Sequence, residues 1–380
     1  MESDDDEWLV SDSGSEDGDD HEELPHYNEE GQEVMTSPPY TVDDFPRFSC
    51  GYREQNHVLF RNPDIELRGP SPIRLYPAFK YAKHVFGSDY NLGDKSEISI
   101  SGIKECSTQC HCLPMFLLQF IDIKIAGYCN TWIGPAKIFG FVAARDTIEP
   151  LRNYVYRREV NNCEDVPGMA RLSLSSPARV ILMVSRALIE FELRVRTEGR
   201  PDEDEPKGDC LIEGCTEFTN MLASDSFIEH QRLYGDNCAL DVKFAVLINA
   251  VEARIDVEVL RLGAIASGIN LKVYAKTSGF SEVIRLFQDA APKPGVVMNF
   301  VVAVETHNYL DLYIEGSPRP GVNPVLGRKE KKPVSHSWWK CSFGSAYHGM
   351  DKEVAELGEF AVVSVNVNWK SYRKKESLRV

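Results

Sequence analysis

The first 33 residues contain no lysine and no arginine. They hold fifteen acids between Glu2 and Glu33, so the other 43 acids of the chain face all 42 bases. The formal charge of −16 thus belongs to one segment, and residues 34–380 are balanced at −1. A balanced body sets up no field to gather nucleic acid, which excludes DNA binding through overall charge. An acidic start also lacks the positive region and apolar stretch of a secretory signal. Long apolar runs are missing too: the most apolar window, Leu113 to Tyr128, contains Asp122 and Lys124 and is too short for a bilayer span. These absences predict an intracellular protein, in cytoplasm or nucleus, with no membrane partner. No Gly-x-Ser-x-Gly elbow, phosphate-binding glycine loop or His-Glu-x-x-His appears, so no catalytic residue is nominated.

Cysteine is plentiful by comparison, with ten in the chain. In a reducing compartment these are read as thiols, not as a disulfide framework. One cluster stands out, Cys106-Ser-Thr-Gln-Cys110-His111-Cys112. It supplies thiolate and imidazole ligands of the kind zinc takes, but no second pair follows at the usual spacing. The expectation is a loop of thiols, with zinc as the alternative and no other cofactor.

Composition divides the chain into four parts. Residues 1–37 are too polar and charged to offset chain entropy by burial and are expected to be disordered. Within them Trp8-Leu9-Val10 precedes Ser11, Ser13 and Ser15 in an acidic setting, a pattern suited to adding a strand to a partner's sheet edge. A plain solubilising tail reads the same way. Residues 38–112 are rich in scattered prolines, with a short helix expected over Pro77 to Gly87, and should pack over the body. Residues 113–370 form the main domain, and 371–380 a basic end.

In the main domain the hydrophobic rhythm has a period of two. Ile189, Phe191, Leu193 and Val195 alternate with charged residues, as do Val251, Ala253, Ile255, Val257 and Val259. Strands with one dry and one wet face read this way. Further strands are predicted over 136–145, 153–158, 179–184, 210–218, 240–248, 269–277, 282–287, 296–305, 310–315, 338–343 and 359–369. Turn signals such as Pro292-Lys-Pro294-Gly295 separate many of them. The fold class is therefore all-β, an antiparallel β-sandwich or partly closed barrel of about a dozen strands. The alternating charges are read as cross-strand pairs on outer faces. Two charged connections, Glu198 to Asp209 and Arg328 to Pro333, are read as hairpin tips, with calcium binding and nuclear import as their respective alternatives.

The densest polar segment runs from Phe139 to Arg158. It places Arg145, Asp146, Arg152, Tyr154, Arg157 and Arg158 around a turn set by Pro150. Guanidinium forks bind carboxylate or phosphate at two points, and tyrosine faces add stacking, so this is a candidate anion or partner site. The competing reading is that Asp146 and Arg152 pin the turn while the rings fill the core.

The stretches Phe141-Val-Ala-Ala-Arg145-Asp146-Thr-Ile-Glu-Pro150-Leu-Arg152-Asn153-Tyr154, Leu172 to Arg179, Ile189 to Arg196 and Val365-Asn-Val-Asn-Trp369 together resemble the plant domain-of-unknown-function 6598 family, abundant in grasses. The resemblance covers roughly 113–370 and implies no catalytic residues. Some similar domains are linked to ribosome-inactivating N-glycosidase modules. Here Pro150 puts Glu149-Pro-Leu-Arg152 in a turn, so depurination is not expected. The resulting expectation is a non-enzymatic binding or scaffold module with protein partners, possessing a role in stress or defence on the strength of the resemblance alone. The alternative is an enzyme or small-ligand β-barrel whose pocket is lined from several strands.

Overall fold

The computed structural model describes residues 94–99, 112–128, 136–166, 171–184, 186–196, 208–219, 224–234, 238–264, 268–319 and 336–372, plus a strand pair, β1 (Arg47–Phe48) with β2 (Leu59–Phe60). The acidic segment 1–37, the helix expected over Pro77 to Gly87, and the charged stretches 198–207 and 328–333 lie outside the described residues.

Sixteen further strands follow: β3 (Met115–Tyr128), β4 (Ala136–Arg145), β5 (Asn153–Arg158), β6 (Glu164–Val166), β7 (Ile181–Leu182), β8 (Arg186–Arg196), β9 (Gly208–Thr219), β10 (Phe227–Tyr234), β11 (Cys238–Leu262), β12 (Ile269–Thr277), β13 (Ile284–Ala290), β14 (Val297–Glu305), β15 (Tyr309–Pro318), β16 (Ser337–Gly344), β17 (His348–Leu357) and β18 (Ala361–Lys370). Among the described residues the other regular element is a 3-10 turn, Val160–Asn162. The main domain is all-β, as the period-two pattern predicts, and its strands pair antiparallel.

The strands form three large sheets: β5-β4-β8-β9 with β6 beside β4; β17-β18-β11-β3-β7 with β10 and β14 also on β11; and β13-β12-β15-β16. The sheets stay open and stack as sandwiches around two apolar clusters. The first cluster joins Ile138, Val142, Phe191 and Leu193 to Ile123, Ile125, Leu240, Val242 and Phe244. The second joins Val251, Ala253, Ile255 and Val257 to Leu271, Val273, Leu312 and Ile314. Fully burying one such side chain stabilises the fold by about 1.5–3 kcal/mol. In the first cluster the Phe218 and Phe244 rings stack at 4.2 Å.

Both clusters draw on β11, a 25-residue strand. The sequence pattern divides this segment into two strands, 240–248 and 251–259. Leu240, Val242, Phe244 and Val246 fill the first core, whereas Ala245, Leu247, Val251, Ala253 and Ile255 fill the second. The run is interrupted at Asn249, whose φ of 52° is tolerated best by glycine and asparagine. The β3 register slips between Leu247 and Ala250 at the same place. One continuous strand thus serves two sandwiches with its opposite faces, both of them buried over residues 244–247.

Within the main domain three strands escape the sequence pattern. β17 is an edge strand exposed over most of its length, so it has no dry face to alternate. β10 pairs with β11 alone and carries the mixed sequence Phe-Ile-Glu-His-Gln-Arg-Leu-Tyr. β6 has three residues. A second difference concerns charge. Arg194 does pair across strands with Glu213 at 3.1 Å on a part-exposed face. Glu190 and Glu252, at outward positions of the same alternation, are instead 0% and 1% exposed.

Candidate functional site: a sealed arginine–carboxylate cluster

β4 ends on Arg145, and the chain turns through Asp146 to Arg152 into β5. Asp146 builds that turn with its side chain: Oδ1 accepts from the amides of Ile148 at 3.1 Å and Glu149 at 3.2 Å, the usual reason an aspartate opens a turn. The same carboxylate receives the Arg179 fork, Nη1 to Oδ2 at 2.6 Å and Nη2 to Oδ1 at 2.8 Å, and the Leu182 amide at 2.9 Å. Both side chains are 2% exposed. Burial works against the charge on Arg179, and the Asp146 carboxylate more than offsets it, so its pKa is raised.

Arg145 points to the other side of the sheet. Its Nε donates to Glu190 Oε1 at 3.1 Å and its Nη1 to the Pro150 carbonyl at 2.8 Å. Arg152, just before β5, completes the triplet, with Nε on Glu190 Oε2 at 2.7 Å. One carboxylate therefore sits between two guanidiniums. Burial opposes the charge of Arg152, Glu190 more than offsets it, and the pKa is raised.

A strap closes over this triplet. The Arg145 fork donates to the Asp94 carbonyl. Ile98 donates to the Arg152 carbonyl and Arg152 donates back to Ser96, both at 3.0 Å. Residues 94–99 thus lie against the turn between β4 and β5. Beyond the strap the cluster continues as a row: Arg152 lies over Phe141 at 4.4 Å, Phe141 meets Tyr154 edge-on at 5.6 Å, and Arg157 lies over Tyr154 at 4.7 Å.

The cluster also reaches the second sandwich. Glu252 of β11 accepts from the Val180 amide at 2.9 Å and from the Tyr372 hydroxyl. Arg254 donates to the Ala178 carbonyl at 2.9 Å. Residues 178–182, which carry Arg179, are thus held by acids from both halves of the fold.

Of the residues nominated from sequence, Arg145 and Arg152 meet on Glu190, while Asp146 pairs elsewhere. Arg157 has 47% of its side chain exposed and pairs with Glu97 at 2.8 Å and Glu159 at 3.3 Å. Arg158 faces the opposite way, over the Tyr156 ring at 5.5 Å and 4.0 Å from Glu164. Tyr156 is fully buried; burial, reinforced by Glu164, pushes its pKa far up. Chemically the cluster is an ion-pair lock, because each buried carboxylate already answers a guanidinium. Arg179, Glu190, Glu252, Tyr372 and the strap are the partners that sequence reasoning missed. The available signal was Arg179 inside the motif Leu172 to Arg179.

The remaining nominated residues are harder to place. Trp8, Leu9, Val10, Ser11, Ser13 and Ser15 lie outside the described residues, as do Cys106, Cys110 and His111. Cys112 is described and is partly buried. Among the described residues no three His, Cys, Asp or Glu side chains group as a metal ion requires. No described helix is long and apolar enough to cross a membrane.

The family model for the domain of unknown function DUF6598 matches residues 117–366. The chain belongs to this family. The matched span begins in β3 and ends in β18, so the DUF6598 region takes in both sandwiches and the Arg145–Glu190 cluster. No curated protein matches. Among solved structures, human GIVD cytosolic phospholipase A2 is similar at 8% identity and a TM-score of 0.22, over 70% of this chain and 34% of that one. A calcium-bound pair of C2 domains from Extended-Synaptotagmin 2 gives 12% identity and 0.22, over 70% of this chain and 100% of that one. The chain spans about a third of the phospholipase's length.

Proposed function

We propose that this DUF6598 protein is a non-enzymatic binding or scaffold module acting in the cytoplasm or nucleus, with protein partners. Its contacts would be the sheet edges, the acidic segment 1–37 with Trp8-Leu9-Val10, and the outer end of the arginine–tyrosine turn, Tyr154 and Arg157. The observation that carries this reading is the closure of the polar centre. Arg145, Arg152 and Arg179 are held by Glu190 and Asp146 at 2.6–3.1 Å and are at most 8% exposed. Groups tied this tightly hold a shape; they do not wait for a substrate. The cleft between the sandwiches, lined by Gln119, Phe120, Ser176, Ile284 and Phe300, encloses about 30 Å³. That is room for one or two waters, far below the few hundred Å³ of a ligand pocket.

The test is affinity capture with the full chain against two variants, one lacking residues 1–37 and one carrying Tyr154→Ala with Arg157→Ala. Loss of the same partner set in either variant supports the reading and assigns the contact. Unchanged capture in both, together with turnover of a small substrate by the full chain, favours the pocketed alternative.

A further inference from the structure

In the second sandwich one sheet runs β14-β11-β18-β17, so β14 and β17 are its two edges. An unpaired edge presents a row of amides and carbonyls that another extended chain can join. On β14 that row is already taken by side chains. The Val301 amide donates to Ser176 Oγ at 2.8 Å, the Ala303 amide to Gln119 Oε1 at 2.9 Å and the Glu305 amide to Ser278 Oγ at 2.8 Å. The Ala303 carbonyl accepts from the Thr277 hydroxyl as well.

Among the described residues β17 carries no such caps. It pairs with β18 along its whole length, His348 to Leu357. Gly349 to Val354 are exposed without a break, Met350 at 63% and Val354 at 46%. Ala355 and Leu357 fill the core, so Met350, Lys352, Val354 and Glu356 stand on the opposite face.

Charges are a common guard of a free edge, because they repel unsuitable strands. On β17 their order makes the guard selective. An antiparallel pairing of the strand with its own copy, centred on Asp351, Lys352 or Glu353, sets a charge directly against itself, which destabilises. Centred on Val354, the two valines meet instead. Lys352 then lies opposite the second copy's Glu356, and Glu356 opposite its Lys352. Asp351 and Glu353 face the copy's Leu357 and Ala355, so no like charges oppose each other.

We propose that β17 is a homodimer interface: two copies of this chain pair β17 with β17, antiparallel about Val354, and their sheets run on as one. A foreign strand would have to match the same charge order, whereas a second copy matches it by symmetry. The acidic segment 1–37 fits poorly, since β17 itself carries three acids against one lysine. A two-fold pairing uses up the edge it needs, and the capped β14 edge offers no continuation, so this sheet stops growing at two copies. One strand pair buries little apolar area, which sets a weak, concentration-dependent dimer. The inference takes up one of the sheet edges of the reading above and commits it to self-association.

Sedimentation of the full chain from about 1 μM to about 300 μM should show the mass rising from one chain towards two. Lys352→Glu turns both cross-strand pairs repulsive and should weaken the dimer by about tenfold or more, with circular dichroism unchanged. Glu356→Lys should do the same. The two substitutions combined exchange the charges and should restore the dimer. A chain monomeric throughout the range overturns the proposal. So does a dimer indifferent to Lys352→Glu, a charge exchange that fails to restore it, or a dimer lost on removal of residues 1–37. Capture of other proteins by a monomeric chain leaves the scaffold reading standing and overturns this one; a dimer that captures nothing does the reverse.

Discussion

Glu190 and Glu315 occupy equivalent positions on different sheets, each on a middle strand and each facing away from the core, and each is buried. What covers them differs. Glu190 is sealed by two guanidiniums, Arg145 at 3.1 Å and Arg152 at 2.7 Å, under a strap of main chain. Glu315 is paired with Lys272 at 3.2 Å and with His336 at 2.7 Å, and the His336 side chain is 45% exposed. A carboxylate closed in by backbone and charge can only hold the fold together. One paired with a half-exposed imidazole also fixes a group at the surface. The same residue type at the same sheet position is thus structural in one sandwich and surface-organising in the other.

The sharpest way to break this comparison is Glu190→Ala. It leaves two buried guanidiniums facing each other without their carboxylate, and removal of one partner from a buried pair costs about 3–5 kcal/mol. Denaturant unfolding should show that loss, and hydrogen exchange should show the Ile98 and Arg152 amides of the strap opening before the rest. A cost under about 1 kcal/mol would mean the seal is wet after all.

A smaller effect tests how dry the first sandwich is around Tyr156. Its phenol is buried, and burial, reinforced by Glu164, raises its pKa far above the ordinary value. The unfolded chain loses this proton near pH ~10 while the folded chain keeps it, so the unfolded state gains stability as pH rises. Stability present below pH ~10 should therefore be lost above it, by up to about 1.4 kcal/mol per pH unit from this group. Tyr156→Phe should remove that part of the slope. Equal slopes for the two proteins between pH ~10 and ~11 would contradict the buried phenol.

Glu315→Gln sharpens the other side of the comparison. The amide still reaches Lys272 and His336, and those partners are partly solvated, so the expected cost is about 1 kcal/mol. A loss as large as that of Glu190→Ala, read in the same unfolding experiment, would place the two carboxylates in one class.

These contrasts also show what the sequence disclosed. Alternation marked Ile189–Val195 and Val251–Val259 as strands, because a strand with one wet face must repeat every two residues. The same rule misfiled Glu190, Glu252 and Glu315. Periodicity says which face a residue takes, and it is blind to a strap or a ring laid over that face from elsewhere in the chain. The local part of the Arg145–Arg152 turn was legible, since Asp146 and Pro150 act within a few residues. Its partners Glu190, Arg179 and Tyr372 stand 45, 33 and 120 residues from the groups they bind, and no local pattern spans such separations. β11 reads as two strands for a related reason: Asn249 interrupts its regular backbone, and near that point both of its faces are buried, by two different cores, so the alternation fades.

The smallest expected effect concerns Arg157, the end of the arginine row that reaches solvent. Its ion pairs with Glu97 and Glu159 join side chains at least 47% exposed, and such pairs stabilise by about 0.2–1 kcal/mol, less at high salt. Its contact with Tyr154 at 4.7 Å adds about 0.5–1 kcal/mol at an exposed site. Arg157→Ala should therefore lower stability by about 1 kcal/mol or less, and the difference from wild type should shrink as salt rises. Arg152, one ring pair further in, has its guanidinium against a buried carboxylate, so Arg152→Ala should cost several times more and respond little to salt. If the two variants lose stability equally, the row has no inside and outside, and the closure assigned to Glu190 fails with it.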